Sequence, residues 1–219
     1  MKFNISDNDN NINKNNDNSI IEKKNIKKKE NNHIEEELKV EKLYGFNYSY
    51  LITGKILVIG DSDSGKTWIL DTYLSRPSSN FSTSGMNKDI FYIEVNNTII
   101  RIISIDLPGG EKFFPIAQRN SENQDLIIFI YSISNYNSFK ILKDRIKIVK
   151  QECKNETNFI LVGSKADLEE SREVSYEDGQ GLADKENFDL FIEVSAIRNF
   201  NIDQLFFEAA KILYRKNNS

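Results

Sequence analysis

Three observations predict an α/β fold with a mostly parallel sheet, one antiparallel edge strand and helices on both faces. Ile56, Leu57, Val58 and Ile59 form an apolar, mostly β-branched run that reads as a buried strand. It leads directly into Gly60-x-x-x-x-Gly65-Lys66-Thr67, and Trp68-Ile69-Leu70 then starts a helix. Second, the strand-like runs 90–95 and 99–105 meet at Asn96-Asn97, a pair suited to a tight hairpin turn. Third, apolar strands alternate with amphipathic helices from residue 126 to 214, a βαβ rhythm that makes neighbouring strands parallel and buries both sheet faces. Six strands result, and ligand loops are expected at the carboxyl ends of the parallel ones.

The elements follow in order. Arg76-Pro77-Ser78-Ser79-Asn80 breaks the first helix and opens a polar loop. After the hairpin come Asp106-Leu107-Pro108-Gly109-Gly110-Glu111 and a weakly marked helix over about 112–122. Residues 126–131 form a strand. The next helix, 138 to about 153, places Phe139, Leu142, Ile146 and Val149 on one face. A strand at 159–163 precedes Ser164-Lys165-Ala166-Asp167, a helix lies near 176–186, and a last strand, 191–194, precedes Ser195-Ala196. The closing helix, 202–214, turns Leu205, Phe206, Ala209 and Leu213 inward.

Ahead of this unit, residues 1–48 are rich in Asn, Lys and Glu, with almost no aromatics from Asn4 to Asn32. Such a composition buries too little apolar surface to offset chain ordering, so disorder is expected. Weak helical spacing over 34–44 predicts a short helix ended by Gly45. The basic run Lys23-Lys24-Asn25-Ile26-Lys27-Lys28-Lys29 could meet an acidic membrane surface, yet Glu35-Glu36-Glu37 follows and the tail is close to charge balance; a solvated tail is the favoured reading. The organisation is thus an extension (1–48), one domain (49–216) and a short polar tail (217–219).

The 219 residues allow one domain with a substantial core. A net charge of −4 argues against a general nucleic-acid binder. The single Cys153 rules out an internal disulfide and suits a reducing, cytoplasmic compartment, and it reads as a spare residue near a helix end rather than a catalytic thiol. The one histidine, His33, sits in the polar tail, so histidine catalysis has no material. No run approaches the ~18 apolar residues of a membrane span.

The stretch 60–67 fits the phosphate-loop pattern. Gly60 and Gly65 let the backbone turn so that N–H groups of Asp61, Ser62, Asp63 and Ser64 converge on phosphate oxygens. Lys66 brings a point charge to the β- and γ-phosphates, Thr67 is placed to ligate Mg²⁺, and the following helix directs its positive end at the same anion.

With the strand-end motifs in this order, residues about 50–216 resemble the Ras superfamily of small GTPases. The run 57–67 and Glu193-Val194-Ser195-Ala196 look most like the Rab branch. The resemblance implies a guanine-nucleotide switch that binds GTP and GDP with Mg²⁺ and hydrolyses GTP, in vesicle trafficking or signalling. By position, Asp106 would hold Mg²⁺ through water, and the Gly109 N–H would contact the γ-phosphate. Asp167 would read the guanine N1 and N2 donors, Lys165 would lie along the base, and the Ser195 and Ala196 backbone would meet the guanine carbonyl. Thr83 is the candidate for the threonine that senses Mg²⁺ and the γ-phosphate, with Ser82 and Ser84 as rivals. Lys66, Gly109 and Gly110 are the catalytic positions.

Several positions depart from the family. Gly110 stands where a glutamine normally orients the attacking water, so hydrolysis should be slow. Ser164 begins the guanine motif in place of asparagine, shortening a side chain that braces the loop, and Ile197 replaces the lysine that usually follows Ser-Ala. The stretch from Lys66 to Thr83 is slightly short, and the aromatic that packs on the base is displaced. These departures keep open a second reading, a GTP-binding scaffold without significant turnover. A phosphate-loop kinase is the third; the lack of an acceptor site and the context of Asp167 speak against it. Effectors, exchange factors and GTPase-activating proteins are the partners implied, for a monomer. Lys2 after Met1 and a cysteine-free 214–219 predict no lipid anchor at either terminus, leaving membrane contact to partners or the basic tail.

Overall fold

The computed structural model describes residues 4–5, 51–76 and 85–218. Its strands are β1 (Asn4–Ile5), β2 (Leu51–Gly60), β3 (Asn87–Val95), β4 (Thr98–Asp106), β5 (Leu126–Ser132), β6 (Asn158–Ser164) and β7 (Leu190–Glu193). The helices are α1 (Lys66–Tyr73), α2 (Phe114–Ser121), α3 (Tyr136–Glu152), α4 (Tyr176–Lys185) and α5 (Ile202–Asn217). Strand order is β1-β3-β4-β2-β5-β6-β7. Five strands run parallel, β3 runs antiparallel to β4, and the two-residue β1 lies antiparallel along the outer side of β3, with Ile5 opposite Ile90. The predicted six-stranded α/β sheet is present, with this short strand added at its edge. The rest of the extension, its expected helix at 34–44 included, lies outside the described residues.

Alternation along β2 divides the interior. Ile56 and Val58 join one cluster with Ile69, Leu70 and Tyr73 of α1 and Leu205, Phe206 and Ala209 of α5. Leu57 and Ile59 face the other way, towards Phe139, Leu142 and Ile146 of α3 and Leu182 of α4. Each fully buried Leu, Ile, Val or Phe among them contributes about 1.5–3 kcal/mol, so the two helical layers hold the sheet from both sides. Two sequence boundaries move. β2 begins at Leu51, five residues before the apolar run at 56, because its pairing with β4 starts at Leu51 opposite Ile99. α3 begins at Tyr136 rather than 138, because the Asn135 side chain caps it by accepting the Ser138 N–H at 3.1 Å.

The hairpin turn has Asn96 at φ 50° and Asn97 at φ 61°. Two consecutive left-handed residues make the turn whose twist matches the flanking strands, and asparagine tolerates that conformation. Ahead of β3, Arg76 ties the end of α1 to the strand: its guanidinium grips both oxygens of Asp89 at 2.7 and 3.2 Å and pairs with Asp71 at 3.0 Å.

Register aligns the strand ends that build the site. Val58 lies opposite Asp106, Gly60 opposite Ile130 and Ser132 opposite Ser164. β2 is central, and the consecutive strands β4 and β5 pair on its opposite sides, so the loop after Gly60 opens where the sheet's connectivity diverges and a crevice forms.

Candidate functional site

The loop between β2 and α1 folds around one carbonyl. Asp61 O accepts from the Ser64 hydroxyl at 2.9 Å and from Lys66 Nζ at 2.8 Å. α1 opens on Gly65, which offers no side chain to the N–H groups of the first turn, leaving that end suited to an anion. Lys66, the first helical residue, is buried. Burial pushes its pKa down, Asp106 and Asp61 push it back up, and Arg145 adds a further downward push.

Thr67 donates its hydroxyl to Asp106 Oδ2 at 2.6 Å, joining the first turn of α1 to the end of β4. Burial raises the Asp106 pKa, opposed by the Thr67 hydrogen bond and by Lys66. Beyond Asp106 the chain passes back over the phosphate loop. A Cβ at Gly109 would overlap the Ser62 N and Asp61 O, so only glycine allows this approach. Gly110 sits at φ 93°, ψ 161°, a region that side chains other than hydrogen scarcely enter.

The far side of the crevice comes from β6 and β7. The Ser164 hydroxyl lies 2.7 Å from Ser64 O, bridging the two loops. Lys165, at φ 62°, reaches Asp63 Oδ2 at 3.0 Å across the opening. Asp167 Oδ1 accepts the Ser195 hydroxyl at 2.6 Å. The Ser195 amide donates to Phe200 O at 3.1 Å, so this residue meets the site through its hydroxyl, while the adjoining Ala196 lines the crevice. Arg172 anchors this loop cluster: it binds Glu193 with two nitrogens at 2.7 and 2.8 Å and Glu169 at 2.6 Å. Those carboxylates raise its pKa.

The result is a cleft of about 1290 Å³ lined by Lys66, Thr67, Gly109, Lys165, Asp167 and Ala196 among others. One end carries a buried cation, a helix N-terminus and a hydroxyl–carboxylate pair; the other presents a fixed carboxylate. That polarity fits a ligand with phosphates at one end and a donor-bearing base at the other. Of the expected residues, Ser62, Asp63, Gly65, Lys66, Thr67, Gly109, Gly110, Ser164, Lys165, Asp167 and Ala196 line this cleft, whereas Gly60, Asp61, Ser64, Asp106 and Ser195 are not part of its lining. Thr83, Ser82 and Ser84 lie outside the described residues.

A model of the Ras family matches residues 55–215. The chain belongs to the Ras family. Among its relatives, the Ras-related protein RAB1BV of Beta vulgaris is 34% identical over 168 residues, covering 75% of this chain and 77% of its own. The GTP-binding protein ypt2 of Schizosaccharomyces pombe is 34% identical over 167 residues, 75% of this chain and 82% of its own. The Ras-related protein SEC4 of Candida albicans is 33% identical over 172 residues, 77% of this chain and 81% of its own. This Ras family protein is therefore a Rab-like small GTPase, a guanine-nucleotide-binding switch and a GTPase.

Three contributions to the site escaped the motif reading. The Asp63 carboxylate and the Ser195 hydroxyl were hidden because motif positions are read for their backbone groups. Arg145 sits in α3, far along the chain; a basic residue inside the helix's apolar repeat was the only signal. No helix among the described residues is long and apolar enough to cross a membrane.

Proposed function

We propose that this Ras family protein is a Mg²⁺-dependent guanine-nucleotide switch with slow hydrolysis of its own, monomeric and cytoplasmic, reaching membranes through partners or its basic tail. The observation that carries the base preference is the Asp167–Ser195 hydrogen bond. It holds one carboxylate oxygen in place, so the group is oriented to accept paired donors from guanine; adenine lacks that pair and would leave a carboxylate unmatched.

At the phosphate end, the Thr67 hydroxyl and the Asp106 carboxylate are hard oxygen donors held 2.6 Å apart beside Lys66, a set that fits Mg²⁺ completed by phosphate oxygens and water. Thr83 is the proposed third protein contact. When bound, the cation neutralises charge on the β- and γ-phosphates. The protein's own part is to hold the phosphates with loop N–H groups and Lys66, and to place the Gly109 N–H against the γ-phosphate. Gly110 has no side chain to orient water, so a GTPase-activating protein would supply that group. Exchange factors and effectors would read the segments around 83 and 109–110, ordered with GTP and relaxed with GDP. The Rab-related names of the relatives support vesicle trafficking as the setting.

The test is to identify the nucleotide that co-purifies with the protein, then follow single-turnover GTP hydrolysis with Mg²⁺. Bound guanine nucleotide with slow phosphate release supports the switch. Protein that ignores both GTP and GDP overturns it. Retained GTP that never turns over favours the second reading, a GTP-holding scaffold, for which the seated, side-chain-free Gly110 is the specific support.

A further inference from the structure

One buried charge behind the phosphate loop has been described so far only through its effect on Lys66. Arg145 lies on α3 beside Leu142, Ile146 and Val149, the residues that pack against the sheet. A guanidinium in such a position is costly unless it is matched. Its side chain is 8% exposed, and Nη2 lies 3.4 Å from Asp61 Oδ1. Its Cζ stands 5.2 Å from the centre of the Phe114 ring. The side chain borders a small cavity shared with Gly60, Pro108, Gly110 and Phe114. The Asp61 main chain therefore serves the phosphate site, where its carbonyl orders Ser64 and Lys66, while its carboxylate pairs with Arg145 behind the loop.

We propose that Arg145 is a positioning residue for phosphate binding: its guanidinium neutralises Asp61 and holds that carboxylate back from the phosphates. Without it, the loop that must attract a polyanion carries an unmatched negative charge within its own turn. Phe114 covers the same guanidinium and opens α2 directly after the 109–113 segment. Both segments that meet the phosphates thus touch one cation, and their positions are linked through it.

The inference rests on the guanine-nucleotide reading above, and the experiment separates the two. GDP affinity is measured by displacement of a fluorescent GDP on full-length wild type, Arg145→Met and Arg145→Met/Asp61→Asn, with folding checked by circular dichroism. Wild type that binds no GDP defeats the nucleotide reading itself. With wild type binding, R145M is expected to weaken GDP about tenfold, a loss that shrinks as salt screens the exposed carboxylate. The double variant is expected to bind about tenfold tighter than R145M, because no charge then needs neutralising. A role in packing alone predicts no such rescue. R145M binding as wild type does, or a double variant as weak as R145M, overturns the proposal. Arg145→Gln, which removes the charge but keeps a donor for Asp61, replaces R145M with the same expectations should R145M not fold.

Discussion

The Ser164 hydroxyl stands 2.7 Å from the carbonyl oxygen of Ser64 and 2.8 Å from that of Tyr131. Ser164 is buried at the end of β6, so a short side chain still reaches the phosphate loop, and the brace expected to weaken with loss of asparagine is made by a hydroxyl instead. Its single proton serves one carbonyl at a time. Ser164→Ala removes the donor and leaves a buried carbonyl less well satisfied, at a cost of about 1–2 kcal/mol. Urea unfolding should register that loss, and GDP release should accelerate because the phosphate loop is no longer tied to the base loop. Unchanged stability and release would mean the hydroxyl contributes nothing there.

The Ser195–Asp167 bond makes a prediction about selectivity. Ser195→Ala frees one carboxylate oxygen to rotate, and GDP affinity should fall about ten- to a hundredfold, the worth of a charged-acceptor hydrogen bond. Asp167→Asn reverses the donor pattern presented to the base, so xanthine nucleotide should displace GDP as preferred ligand. Competition binding with XDP and GDP checks both; an Asn variant that still favours GDP would contradict the assignment of Asp167.

Gly110 resists replacement by the residue its family places there. At φ 93° any side chain is strained by about 1–3 kcal/mol. Gly110→Gln should therefore lower thermal stability by that amount, and Gly110→Ala should lower it similarly, separating backbone strain from any effect of the amide. If single-turnover hydrolysis in G110Q rises more than tenfold with no loss of stability, the loop adopts another conformation during reaction. Gly109→Ala is the harsher change, because its methyl meets backbone atoms of Asp61 and Ser62 that cannot yield.

Cys153 provides a pH-dependent check on the α3 end. The half-buried thiol points at Ser121 O, 3.7 Å from its sulfur. Burial raises its pKa above the ordinary 9.0, opposed by the side chain of Ser121 and by Lys150. The thiol form is favoured by folding, so its contribution to stability is present below the ordinary value and lost as pH rises through the raised one. Alkylation by iodoacetamide at neutral pH should be several-fold slower than for an unfolded thiol and should accelerate only in alkaline buffer. Rapid labelling at pH 7 would mean that this helix end opens readily.

Much of this protein was legible in its residue order. Periods of two and 3.6 in apolar residues specify strands and helices locally, and glycine and asparagine mark turns by their conformational freedom, so the sheet, the hairpin at Asn96-Asn97 and the order of the site loops could all be read along the chain. The motif residues were legible because phosphate and base chemistry demand particular groups at short fixed spacings. What only the tertiary structure decided are relations between distant positions. Ser164 meeting Ser64, Lys165 meeting Asp63, and Arg145 lying behind Asp61 depend on strand register and helix packing that bring residues up to 102 positions apart within hydrogen-bonding or ion-pair distance. Local patterning carries no record of those distances. Burial then alters the chemistry once more, raising the pKa of Asp106 and lowering that of Lys66 because charge is costly away from water, an effect on two motif residues that no local pattern in the sequence records.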